Sequence, residues 1–251
     1  MDQMTPPSLG RLLRFGAIAG LAGGASLAVY LLIVAEPTID AAVRFEKAHE
    51  TSPGAPEMFT RGTQHLGGML GASLYGAALG VLFALVFASL RHRLGGSDDW
   101  GRTIRLASAA FATIYLVPFL KYPANPPGVG DPATITRRTV LYLLMIAWSC
   151  AATTIAWRVR RQVRVREWGG PSRCLIVVVV YLAVVLAAVE LLPANRDPVP
   201  DPATLVWRFR LLSAGGQAVL WTVMAFSFGT LVHREEQGKG TWRRRGADAR
   251  V

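Results

Sequence analysis

Leu66-Gly-Gly-Met-Leu-Gly-Ala-Ser-Leu-Tyr-Gly-Ala-Ala-Leu-Gly-Val-Leu-Phe-Ala-Leu-Val-Phe-Ala-Ser-Leu90 runs for 25 residues without a formal charge. A helix rises about 1.5 Å per residue, so roughly 20 apolar residues cross a hydrocarbon core about 30 Å thick. The run is long enough to span a bilayer. Its apolar residues are continuous rather than alternating, and in lipid only a helix or a closed barrel satisfies its own backbone, so the run reads as a helix. Outward from it lie five more uncharged runs: Phe15–Ala35, Leu106–Leu120, Thr139–Trp157, Cys174–Val189 and Leu211–Val232, of 21, 15, 19, 16 and 22 residues. The 15-residue run reaches spanning length if Arg105 and Lys121 carry their charged ends to the interfaces, and the 16-residue run does so if Glu190 is counted inside it. The first run follows Arg11 and Arg14 as a secretory signal would, but signal cores are about 7–15 residues, so it too reads as a span. The expected fold is an all-α polytopic transmembrane helical bundle of six spans, with residues 11–232 in the membrane domain. Residues 1–10 form a cytoplasmic tail and 233–251 a basic, disordered cytoplasmic one.

Composition agrees. Of 251 residues 52% are hydrophobic and 17% charged, against about 25% charged in an ordinary soluble domain. Cys150 and Cys174 fit no disulfide framework and no C-x-x-C metal spacing, and they read as small apolar residues. The 27 Lys+Arg against 16 Asp+Glu give a net charge of +11. With six spans, both termini share a side with the 91–105 and 158–173 connections, and that side holds 18 Lys+Arg against 9 on the other. Cytoplasmic loops carry the Lys/Arg excess, so both termini are expected in the cytoplasm of an inner-membrane protein. Seven acids fall on the cytoplasmic side and nine on the outer, so the whole +11 is cytoplasmic and the outer charges cancel. Arg158, Arg160, Arg161, Arg164, Arg166 and the Arg243–Arg245 run are then topological anchors in contact with the lipid bilayer, and no nucleic acid is expected as a partner.

The chain repeats itself on the outer side. Pro123-Ala124-Asn125 through Asp131-Pro132-Ala133-Thr134 returns 70 residues later as Pro193-Ala194-Asn195 through Asp201-Pro202-Ala203-Thr204, and Arg138 and Arg208 keep the register. Each copy follows one apolar run and precedes another, which suggests a bundle built from repeated helix hairpins. Glu36-Pro37 and Val43-Arg44-Phe45 form a weaker third copy. In Asp-Pro-Ala-Thr the Asp stands at an N-cap and Pro at the first helical position, so Asp131 and Asp201 are expected to open helices. The alternative is that Asn125, Asn195, Asp131 and Asp201 offer oxygen atoms to a cation.

The first outer segment places Glu36, Asp40, Glu46, His49, Glu50, Glu57 and His65 within about thirty residues, and part of it has the spacing of an amphipathic helix. Imidazole with carboxylate suits divalent first-row metals, though a solvated polar loop has the same composition. Glu36 and Glu190 lie at the outer ends of apolar runs, where an ionisable group is costly and points to function. Glu36, beside Pro37, is the preferred metal contact. Gly16, Gly20 and Gly24, with Gly67/Gly71 and Gly76/Gly80, have the G-x-x-x-G spacing of closely packed membrane helices.

Glu36-Pro-Thr-Ile-Asp40-Ala-Ala-Val-Arg-Phe-Glu46, Arg61-Gly-Thr-Gln64, Tyr115-Leu-Val-Pro-Phe-Leu-Lys-Tyr-Pro-Ala-Asn-Pro-Pro-Gly-Val-Gly-Asp131, Leu192-Pro-Ala-Asn195 and Trp207-Arg-Phe-Arg210 resemble the CbtA family of predicted cobalt transporter subunits. The similarity runs over roughly residues 9–232. The resemblance implies cobalt uptake in prokaryotes and a small, single-span, histidine-containing partner, CbtB. It brings no ligand set, so the candidate metal contacts Glu36, Asp40, Glu46, His49, His65, Asn125, Asn195 and Glu190 rest on the residues alone.

The expected function is a permease subunit that takes up a divalent transition metal, cobalt(II) as cargo, with no bound cofactor. No P-loop, G-x-S-x-G or H-E-x-x-H motif is present, so no enzyme is expected. Two alternatives stand beside it: a non-transporting membrane subunit that scaffolds a metal-binding partner, and a permease for another substrate.

Overall fold

The computed structural model describes residues 7–49, 60–96, 98–127, 129–165, 169–195 and 203–248. Helix α1 (Leu9–Tyr30) passes through a π-helical turn, Leu31–Ala35, into α2 (Glu36–His49). Next is α3 (Arg61–Leu90). Helix α4 (Asp99–Ala110) passes through a second π-helical turn, Phe111–Leu116, into α5 (Val117–Lys121). A 3₁₀ turn at Pro132–Thr134 leads into α6 (Ile135–Val165), followed by α7 (Gly170–Leu191) and α8 (Ala203–Asp248). Among the described residues there is no strand.

Among the described residues six helical stretches are long and apolar enough to cross a membrane: Leu9–Phe45, Arg61–Leu90, Asp99–Lys121, Ile135–Val163, Gly170–Leu191 and Ala203–Glu235. The third is 23 residues long, against the 15 of its uncharged run. It gains length at its start because Asp99 is paired with Arg91 and Arg102. At its far end Lys121 turns to protein, and Nζ donates to the Val189 carbonyl at 2.6 Å. Helix α8 continues past Val232 to Asp248, helped by a His233–Gln237 side-chain hydrogen bond of 2.9 Å one turn apart.

The chain forms two compact units. The first comprises residues 1–37, 51–109 and 212–251. In it α1 meets α3 backbone to backbone. A Cβ on Gly16 would press on the Gly80 carbonyl and lie 2.7 Å from the Ala84 Cβ. One on Gly20 would press on the Gly76 carbonyl, and one on Gly24 would lie 2.8 Å from the Ser73 Cα. Only Gly76/Gly80 of the two α3 pairs takes part. Gly67 and Gly71 face open space, with nothing within 4 Å of a Cβ on either. Helix geometry explains this: nine residues separate Gly67 from Gly76 and Gly71 from Gly80, and at about 100° per residue each lies on the opposite face from its counterpart. Helix α8 closes the unit, with the Phe228 ring edge-on to Phe83 and Phe87 at 5.3 and 5.2 Å.

The second unit comprises residues 38–50 and 110–211. Its core gathers Tyr122, Leu141, Met145 and Ala188. Polar groups tie its helices. Trp148 Nε1 donates to the Val184 carbonyl at 2.8 Å, and the hydroxyls of Thr113 and Thr153 lie 2.8 Å apart. Helices α5 and α7 end at Lys121 and Leu191, 70 residues apart and in the register of the sequence repeat. Along the spans many large apolar side chains stay exposed, Leu74 at 67% and Leu186 at 58% among them, as expected where lipid is the solvent. Helix α7 is the extreme case, since only 6% of its apolar window is buried.

Candidate functional site

Thr60 opens α3, its Oγ1 accepting from the Thr63 N–H at 3.3 Å, as an N-cap does. Arg61 and His65 follow at i,i+4 spacing and therefore lie on one face. Both reach the same atom of Glu36, the first residue of α2 after the π-helical turn. Arg61 Nη2 lies 2.6 Å and His65 Nε2 2.7 Å from Oε1. The Glu36 side chain is 20% exposed. A carboxylate only accepts, so Nε2 of His65 carries the proton in this bond. In the neutral imidazole that leaves the Nδ1 lone pair for a metal, with Glu36 fixing the ring from behind, the carboxylate–histidine arrangement common at metal sites. The Arg61 guanidinium shares that carboxylate and balances its charge.

The remaining sequence candidates are dispersed. His65 and Glu36 come together. Asp40 is partly buried on α2 in the second unit, and the side chains of Glu46 and His49 lie outside the described residues. Glu190 sits at an exposed position in the last turn of α7. Among the described residues no three His, Cys, Asp or Glu side chains gather. His65 Nδ1 thus offers one donor, with Glu36 behind the ring, against the four to six that a transition metal takes.

Asn125 and Asn195 meet elsewhere, in the second unit. Both line a cavity of about 630 Å³ together with Tyr122, Arg138, Tyr142 and Phe209. The Asn125 carbonyl oxygen is engaged there, accepting from Arg210 Nη2 at 3.0 Å while Arg210 Nε donates to the Ala124 carbonyl at 3.3 Å. Tyr122 Oη donates to the Pro193 carbonyl at 2.7 Å, joining the two Pro-Ala-Asn segments. Burial raises the Tyr122 pKa above its ordinary 10.0, against a smaller opposing pull from Arg137, and so preserves that donor. Gly130, at a φ of 105°, makes a turn that side-chain-bearing residues resist. Asp131 then caps as expected, its Oδ1 accepting from the Ala133 N–H at 2.8 Å ahead of α6. Asp201 lies outside the described residues.

One cluster escaped the sequence reading. Asp99 is wholly buried in the first unit, paired with Arg91 through Oδ2 and with Arg102 through Oδ1 at 2.6 Å. The sequence assigned these residues to a solvated connection. The available signal was a carboxylate flanked by arginines at −8 and +3, which only a helix–turn–helix brings together.

Over residues 9–233 the sequence matches the family described as "Probable cobalt transporter subunit (CbtA)". The chain belongs to the CbtA family. The match covers all six spans and both Pro-Ala-Asn segments, so this CbtA chain is a multi-pass membrane protein of a metal-transporter subunit family, a class that is generally non-enzymatic. No curated protein and no solved structure matches it.

Proposed function

We propose that this CbtA chain is a permease subunit that admits cobalt(II) from outside an inner membrane, with both termini cytoplasmic, and that the ion first meets His65 and Glu36. The observation that carries the reading is the Glu36–His65 pair at 2.7 Å, where α2 begins and α3 begins. His65 Nδ1 offers the soft donor that suits a late first-row ion, and Glu36 orients the ring and supplies charge. Because His65 Nδ1 is a single donor, the others come from hydration water or from a histidine-containing partner such as CbtB. A bare Asn125 or Asn195 amide is a weaker ligand than the imidazole, and Asn125 has given its oxygen to Arg210.

The test is radiolabelled cobalt uptake into cells or vesicles, with and without CbtB, and with nickel and zinc as competitors. Glu36→Gln and His65→Ala are expected to lower uptake about 10–100-fold at unchanged protein abundance, the usual effect of removing a metal ligand or its orienting carboxylate. Unchanged uptake in both variants removes the site. Uptake that never occurs with this chain, yet cobalt binding by CbtB only in its presence, makes the chain a scaffold. No cobalt uptake with or without CbtB, together with no effect of the chain on cobalt binding by CbtB, makes it a permease for another substrate.

A further inference from the structure

The cavity of the second unit combines chemistry that fits a different ligand. Asn125 presents its oxygen to Arg210, whose guanidinium holds donors only, so the amide NH₂ is the group that Asn125 has left to offer. Arg138, the one charged residue among the described residues lining the cavity, is again a donor without acceptor capacity. No carboxylate lines the cavity among the described residues. Guanidinium and amide N–H groups are what an oxyanion requires, and they repel a cation. Much of the remaining wall is apolar, including Ile135, Leu141, Leu143 and Phe209. A small hydrated anion would leave that wall unused. The cavity also lies where α5 ends at Lys121 and α6 begins at Ile135, the ends of two spans and so the depth at which a bilayer places its phosphates.

We propose that this cavity binds the phosphate of a phospholipid head group, with Arg138 and the amides of Asn125 and Asn195 on the oxyanion and the glycerol end against Leu141, Leu143 and Phe209. The site is independent of the metal reading: it shares no residue with Glu36 and His65.

The full chain in detergent, titrated with phosphatidylglycerol and followed by native mass spectrometry, tests it. Arg138→Gln is expected to weaken lipid retention by about tenfold, the loss of one charge-assisted hydrogen bond. Asn195→Leu, at an exposed position that folding does not need, should weaken it less. Arg208→Gln, which removes the same charge outside the cavity, should leave it unchanged. Diacylglycerol, which lacks the phosphate, should not be retained. sn-Glycerol 3-phosphate distinguishes the sources: weak competition supports the lipid, and binding as tight as the lipid's supports the phosphate site with a soluble ester as its ligand. Equal retention by wild type, Arg138→Gln and Asn195→Leu, or retention of diacylglycerol as strong as that of phosphatidylglycerol, overturns the proposal.

Discussion

Where α1 crosses α3 in the first unit there is no room for a methyl group, whereas in the second an indole N–H joins α6 to α7, the lysine ammonium at the end of α5 reaches α7, and a hydroxyl pair ties the π-helical turn to α6. Lipid tails are as apolar as leucine, so neither pair gains from hiding apolar surface. Two other sources remain. Backbones that approach through glycine gain dispersion and bring Cα–H groups against carbonyls, while side chains that donate across the gap gain a hydrogen bond that lipid cannot replace. The first unit relies on the former and the second on the latter. The first also carries ion pairs, Glu36 with Arg61 and, wholly buried, Asp99 with Arg91 and Arg102.

The buried carboxylate gives the largest expected effect. Asp99→Asn removes the charge that holds Arg91 and Arg102 and should cost about 3–5 kcal/mol, read as unfolding free energy in detergent. If the loss is under about 1 kcal/mol, the charge is solvated and the pair adds little to the first unit. Next comes Gly20→Leu, which drives a side chain into the Gly76 backbone. Overpacking costs roughly 1–3 kcal/mol and more where backbone must shift, so the variant should melt well below wild type. A Trp148→Phe substitution tests the second unit by keeping an aromatic, if smaller, side chain and removing the Val184 hydrogen bond. Its expected cost is about 0.6–1.7 kcal/mol, the range of interhelical hydrogen bonds in membranes. Smallest is Gly67→Ala, expected within ~0.5 kcal/mol of wild type because the added methyl meets nothing. A loss as large as that of Gly20→Leu would mean that the outward glycine face of α3 packs on something too.

The six spans were legible because an uncharged run of about twenty residues has few other uses. Span three was harder, since its first turns contain Asp99, Arg102 and Arg105, and only their pairing, invisible in a linear reading, lets them belong to a membrane helix. Glu36 stood out by its place at the end of an apolar run, yet its partners did not. His65 is 29 residues away, and nothing in the spacing distinguishes it from His49. Arg61 was visible only as part of a family-like motif, although its i,i+4 relation to His65 already places the two on one face. The α3 glycines looked equivalent as motifs, and the nine-residue offset separates them only when each is assigned a direction around the helix. Asn125 and Asn195 were found through the 70-residue repeat and do share a cavity. What the repeat did not show is Arg210, 85 residues from Asn125, which holds the oxygen of that amide.

The π-helical turn at Leu31–Ala35 carries a consequence for how the chain tolerates change in length. A π turn accommodates one residue more than an α turn in the same rise, and each residue added to or taken from a helix rotates everything beyond it by about 100°. Deleting a single residue from Leu31–Ala35 would therefore restore regular α geometry with Glu36 still aimed at Arg61 and His65, whereas a deletion in the regular turns of α1, which hold no extra residue, would swing it away. The wide turn is slack in the residue count between the first span and its carboxylate, and the regular turns before it have none.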